Sequence, residues 1–142
     1  MENLLINQYT IILRVLFALF MGIFIGIDRQ RRKTQTQNYG AAGLRTHALV
    51  CVGTALITAI GIILFPSEPT RLAASIMTGI GFIGAGTIMA ADKKQLGLTN
   101  AATVWAAAAI GIACGVGLYL VALFATLVTL IILQLRRFES LE

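Results

Sequence analysis

No charged residue stands between Arg71 and Asp92, and inside that gap runs ASIMTGIGFIGAGTIMAA. As a helix, those eighteen residues span roughly 27 Å, close to the hydrocarbon thickness of a bilayer. Three other stretches match it: 11–27, entered through Arg14, then 47–65, and the long run 101–133. Hydrophobic residues make up 58% of the chain and charged ones 12%, against about 25% charged in an ordinary soluble domain. The chain reads as an integral membrane protein, all-α, with no room among its 142 residues for a soluble catalytic domain.

The last apolar run sets the topology. Residues 99–133 number 35, about 52 Å as one straight helix, more than a bilayer needs even with tilt. Gly115-Val116-Gly117 lies at its middle, and two glycines so close favour a tight reversal. The spacing therefore predicts a compact, glycine-rich bundle of five transmembrane helices, at about 11–27, 46–65, 72–91, 99–114 and 118–134. Charge supports that count. Five spans put Arg29, Arg31, Arg32, Lys33, Arg45, Lys93, Lys94, Arg136 and Arg137 on one side, leaving Arg14 and Arg71 opposite. The positive-inside rule then gives the N-terminus outside and the C-terminus in the cytoplasm. The net charge of +5 belongs to this pattern rather than to a nucleic-acid surface, so no nucleic acid is expected as a partner.

Glu2 and Arg14 argue against a cleaved leader, so the first span is read as retained. The polar segment 28–43 reads as a mobile cytoplasmic loop inside a single transmembrane domain, 1–142. Cys51 and Cys114 are expected near opposite membrane faces, roughly 20 Å apart, too far for a disulfide.

Helices in lipid meet by close backbone packing. Ala18, Gly22 and Gly26 recur at intervals of four, as do Ala107, Gly111 and Gly115, while Gly79, Gly81, Gly84 and Gly86 crowd the third span. Gly22, Gly26, Gly79, Gly81, Gly84, Gly86 and Gly111 are thus expected at helix contacts. The literal G-x-G-x-x-G at 79–84 follows no strand and lies in a membrane-length apolar run, which excludes a dinucleotide site.

Polar residues at the charged boundary are the functional candidates: Asp28, Arg29, Arg45, Thr46, Thr99 and Asn100. Asp28 and Arg45 close and open adjacent spans, so a carboxylate–guanidinium pair is expected there, against simple snorkelling into headgroups. Thr99 or Asn100 reads as a helix N-cap. Thr78, Thr87, Thr103 and Trp105 could join them in a small polar cleft. His47 is the single histidine and reads as a polar interface residue; with Cys51 one turn on, it makes only a weak metal pair. Arg14 enters the first span from the outer side, where Glu2 or Glu68 could meet it. No nucleophile–base pair stands out, so no catalytic residue, metal or cofactor is expected.

Four motifs carry a resemblance. They are Gly26-Ile27-Asp28-Arg29-Gln30, Ala42-Gly43-Leu44-Arg45-Thr46, Gly79-Ile80-Gly81-Phe82-Ile83-Gly84-Ala85-Gly86, and Gly97-Leu98-Thr99-Asn100-Ala101-Ala102-Thr103-Val104-Trp105. In this order and spacing the chain resembles the MgtC/SapB family of bacterial inner-membrane proteins over essentially its whole length. Members usually show Glu at the position of Asp28 and Thr at that of Asn100. Many continue into a C-terminal cytoplasmic domain, so the chain is expected to be either a naturally short member or a truncated one. The resemblance implies a multi-pass inner-membrane protein responsive to magnesium limitation or stress and tied to virulence, with the bilayer as its first partner. The best-known member supports survival in host phagocytes and acts on the proton-translocating ATP synthase. A regulator acting through other membrane proteins, a small transporter of Mg2+, protons or solute, and a purely structural protein stay open, as does a homodimer through spare helix faces. A magnesium path needs several oxygen ligands, and no span interior contains an acid.

Overall fold

Five helices follow from the apolar runs and their breakers: α1 (Glu2–Thr36), α2 (Leu44–Leu64), α3 (Pro69–Met89), α4 (Lys94–Val116) and α5 (Tyr119–Glu139). The computed structural model describes residues 2–36, 42–90 and 94–139, with side chains at 7–31, 42–90 and 97–135. Stretches Asn7–Arg31, Leu44–Leu64, Pro69–Met89 and Gly97–Val116 are long and apolar enough to cross a membrane, and α5 adds the shorter apolar stretch Tyr119–Leu135.

Two helices exceed their expected bounds. α1 runs on through Thr36, so 28–36 is helical rather than loop. Arg, Gln and Lys are good helix formers, and no Gly or Pro interrupts before Gly40. The rest of the expected mobile loop, 37–41, lies outside the described residues. α4 begins at Lys94, which places Thr99 and Asn100 inside the helix instead of at its N-cap. Lys94, Gln95 and Leu96 favour the helix, and Gly97 is tolerated within it.

The break at Gly115-Val116-Gly117 falls where the glycines put it. Gly117 takes φ 97°, and its N–H donates to Cys114 O at 2.9 Å while Leu118 N–H donates to Ala113 O at 2.9 Å. This pairing closes a helix through a left-handed residue and satisfies its last carbonyls. One carbonyl more is taken from outside: Arg14 Nη1 donates to Gly115 O at 2.8 Å. Arg14 therefore turns inward to the end of α4, where a cation also meets the negative pole of the helix. Phe17, one turn along α1, packs edge-on against Tyr119 with centroids 5.1 Å apart. At the other turn, Pro66 ends α2 and Pro69 starts α3.

α4 touches all four other helices, and α2 lies between α1 and α4. Glycine sets those approaches. A Cβ on Gly22 would meet His47 O at 2.7 Å, and one on Gly26 would meet Leu44 Cα at 2.7 Å. On the other flank, a Cβ on Gly111 would meet Cys51 O at 2.6 Å, and one on Gly115 would meet Ala55 O at 2.5 Å. Opposing Gly111 to Cys51 and Gly115 to Ala55 and Thr58 sets a register that brings Cys114 within about one turn of Cys51, a rise of roughly 5 Å. The far longer gap expected from the sequence does not hold, and both are buried free thiols.

α3 departs from expectation. A Cβ on Gly84 would meet Ala101 Cβ at an ordinary 3.5 Å, whereas one on Gly79, Gly81 or Gly86 would meet nothing within 4 Å. The packing role expected of those three glycines is therefore not met within the protomer. α3 leans on α4 through one side and turns the rest of its surface outward, so 11% of its membrane window is buried against 50% for α4.

Gly111→Leu should destabilise the bundle by about 1–3 kcal/mol through overpacking against α2 backbone. Gly79→Leu should leave the unfolding midpoint in detergent at the wild-type value. Equal midpoints for the two variants would show that Gly111 is not at a close contact.

Candidate functional site

The helix ends at the charged boundary bring four elements together. α1 ends its apolar stretch there, α2 and α4 begin, and α5 arrives with Gln134. Arg29 lies on the α1 face already occupied by Gly22 and Gly26, at intervals of four and three, so the close α1 contact carries it inward. It is 7% exposed, and its Nη2 donates to Asn100 Oδ1. Asn100 is fully buried; it shares the face of Thr103, Ala107 and Gly111 on α4. Its Nδ2 has no hydrogen-bond partner among the described residues.

His47 stands beside this pair, fully buried. Its Nδ1 lies 2.8 Å from Gly43 O, a carbonyl that can only accept, so Nδ1 carries the proton. Its Nε2 lies 3.1 Å from Thr103 Oγ1, and Thr103 Oγ1 lies 2.9 Å from Asn100 O. In a neutral ring Nε2 accepts the Thr103 hydroxyl hydrogen, which then is not free for Asn100 O. One turn deeper, Cys51 Sγ donates to Ala107 O at 3.1 Å. Arg29, Asn100, Thr103 and His47 thus form a continuous buried polar line across α1, α4 and α2.

The remaining expected residues are placed differently. Asp28 is half-buried and accepts from Gln134 Nε2 at 3.2 Å. Arg45 is exposed on α2 and pairs with no described residue, so the expected Asp28–Arg45 pair is not formed. Thr46 is half-buried and Thr99 exposed, about 100° round α4 from its buried neighbour Asn100. The polar cleft does not assemble either. Thr78 and Thr87 donate to their own helix at Ala74 O and Gly84 O, and Trp105 is 54% exposed.

His47, Thr103 and Gln134 complete the cluster without having been among the chosen site residues. Helical phase carried the signal for two of them: His47 precedes Cys51 by four, and Thr103 precedes Ala107 by four. Gln134 gives no such signal. With both ring nitrogens of His47 engaged, its imidazole is not presented to a metal. Among the described residues, no three of His, Cys, Asp and Glu stand together as a metal-binding group.

Fold and boundary cluster define a multi-pass helical membrane protein, tied together at one side by a buried polar line. The MgtC family matches residues 15–140, and the chain belongs to that family. It is 43% identical to Protein MgtC of Salmonella typhimurium strain LT2 over 129 residues, which are 91% of this chain and 52% of the relative. It is 36% identical over 132 residues to the Putative magnesium transporter YhiD of Escherichia coli K12, covering 87% of this chain and 59% of that protein. Uncharacterized protein slr0014 of Synechocystis is 38% identical over 121 residues, 84% of this chain and 49% of its own length. The chain spans about half the length of these curated relatives. No solved structure matches it.

Arg29→Met and Asn100→Leu should be strongly non-additive. Their coupling should be about 1.5–3 kcal/mol, as for a buried hydrogen bond from a charged donor. Asp28→Asn with Arg45→Gln should couple near zero in the same unfolding assay. The opposite pattern would assign the boundary contact to the wrong guanidinium.

Proposed function

We propose that the chain is a regulatory membrane protein of magnesium limitation and stress adaptation, acting by binding other membrane proteins rather than by turnover. Family membership carries this reading, since the relative Protein MgtC is 43% identical to the chain. The chemistry of the interior supports it. Mg2+ dehydrates reluctantly and is held by several oxygens, carboxylates foremost. The buried polar line offers a guanidinium, an amide, an imidazole and a hydroxyl, and the carboxylate of Asp28, beside Arg29 in the chain, is tied to Gln134. The proton-translocating ATP synthase is the partner that the family resemblance implies. A homodimer through the outward faces of α3 is compatible with the same role.

The name of the Escherichia coli relative, a putative magnesium transporter, favours a second reading in which the chain moves a small cation. Liposome reconstitution with an ion-sensitive dye separates the two. The regulatory reading expects no saturable Mg2+ or proton flux, together with co-purification of an ATP synthase subunit from native membranes. Saturable flux abolished by Asp28→Asn would overturn it.

In this reading all five helices span, with the N-terminus outside and the C-terminus in the cytoplasm. The break at Gly117 and the bias of basic residues support that arrangement. Single cysteines placed at Glu68 and Phe138 test it by impermeant labelling of intact cells. Position 68 should label and position 138 should not; labelling of 138 from outside would defeat the topology.

A further inference from the structure

α2 and α3 meet at their shared turn, where a Cβ on Gly61 would collide with the Leu72 side chain, and then part. α3 leans away onto α4, leaving between α2 and α3 a groove of about 390 Å³. Leu49, Gly53 and Ile57 line it on one wall, and Ser75, Gly79 and Ile83 on the other. The two glycines keep it open, since a Cβ on either would meet nothing within 4 Å. Its hydroxyls are spent locally: Thr54 Oγ1 donates to Val50 O at 2.9 Å and Ser75 Oγ to Arg71 O at 3.0 Å. The lining is hydrocarbon.

Arg45, Leu49, Gly53 and Ile57 follow at intervals of four, so they occupy one face of α2. Arg45 therefore lies one turn before Leu49, the first of these lining residues, exposed and paired with no described residue. From Arg45 to Ile57 the helix rises roughly 18 Å. One leaflet of the bilayer core is about 15 Å deep. A cation at headgroup level above an apolar channel one leaflet deep has the shape and the charge of a bound phospholipid.

We propose that this groove holds an acyl chain of an anionic phospholipid whose phosphate sits on the Arg45 guanidinium. The groove supplies fit, because dispersion rather than water exclusion decides contacts inside a membrane. Arg45 supplies headgroup choice: guanidinium matches phosphate in a bidentate contact. Arg29 serves a different end, since it is buried and directed to Asn100.

The test is native mass spectrometry of the purified full chain in detergent, titrated with phosphatidylglycerol or phosphatidylcholine of matched chains. Wild type should retain one phosphatidylglycerol with roughly fivefold higher affinity than phosphatidylcholine, the effect expected of one basic residue at an anionic headgroup. Arg45→Gln should bring phosphatidylglycerol down to the level of phosphatidylcholine. Gly79→Leu fills the groove from one wall and Gly53→Leu from the other, and either should abolish retention of both lipids while the helical circular dichroism stays unchanged. Equal affinity for the two lipids in wild type would overturn the proposal, and so would unchanged retention in Arg45→Gln or in the folded groove variants. A shift of the monomer–dimer balance in the groove variants, with lipid retention untouched, would give the groove to a second copy of the chain and overturn it as well.

Discussion

Everything in this bundle depends on how closely the backbone of α2 is approached from two sides. In lipid the hydrophobic effect does not press helices together, so association rests on packing at short range. Gly22 and Gly26 bring α1 onto the start of α2, and Gly111 and Gly115 bring α4 onto its middle. Carbonyl and Cα atoms then sit where a Cβ would otherwise be. The polar contacts are consequences of that approach. His47 reaches Thr103, and Cys51 reaches Ala107 O, because the α2 and α4 backbones are near enough for short side chains to bridge them.

α1 is fastened at both ends, by two arginines with opposite settings. Arg14 reaches the carbonyl end of α4, where it adds a hydrogen bond to the helix closure at Gly117. Arg29 reaches Asn100 near the beginning of α4. An unpaired guanidinium near hydrocarbon would cost several kcal/mol, and each of the two is met by a neutral oxygen of α4. A neutral acceptor leaves the positive charge in place while satisfying part of its hydrogen bonding. The two contacts set the register of α1 along α4, as α2 is held between them.

Much of this was legible in the spacing of small residues. The runs at Ala18, Gly22 and Gly26 and at Ala107, Gly111 and Gly115 each lie against α2, and the glycines at 115 and 117 break the long apolar run where the chain reverses. What spacing cannot give is the partner. Gly79, Gly81 and Gly86 look the same in sequence as Gly22 and Gly111, yet they meet open space. Whether a glycine face is covered depends on the tilt of α3 against α4, which no local pattern encodes. The boundary arginines show the same limit and its remedy. Arg45 and Asp28 are near in topology, but the phase of α1 carries Arg29 with Gly22 and Gly26, while Arg45 falls off the α2 face of His47, Cys51 and Thr54. Extending the small-residue faces by one further turn reaches Arg29 on α1 and Thr103 on α4, and a second turn reaches Asn100. The start of α4 was misplaced for another reason: Thr99 and Asn100 have N-cap chemistry, and the helix-forming residues before them overrode it.

The same packing decides where motion is cheapest. Sliding α2 against α1 or α4 would drive glycine-sized gaps onto side chains, and close-packed interfaces resist gradual deformation. α3 has no such lock. Even a Cβ on Gly84 would make only an ordinary van der Waals contact with α4, the Ser75, Thr78 and Thr87 hydroxyls bond their own helix, and the N-terminal end of α3 carries an exposed Glu68–Arg71 pair at 2.8 Å. An exposed ion pair of that kind contributes at most about 1 kcal/mol. α3 is therefore held without the glycine-sized gaps that fasten α1, α2 and α4 to one another, and it borders the groove between itself and α2. A molecule entering or leaving that groove changes the surroundings of α3 and leaves the α1–α2–α4 core intact.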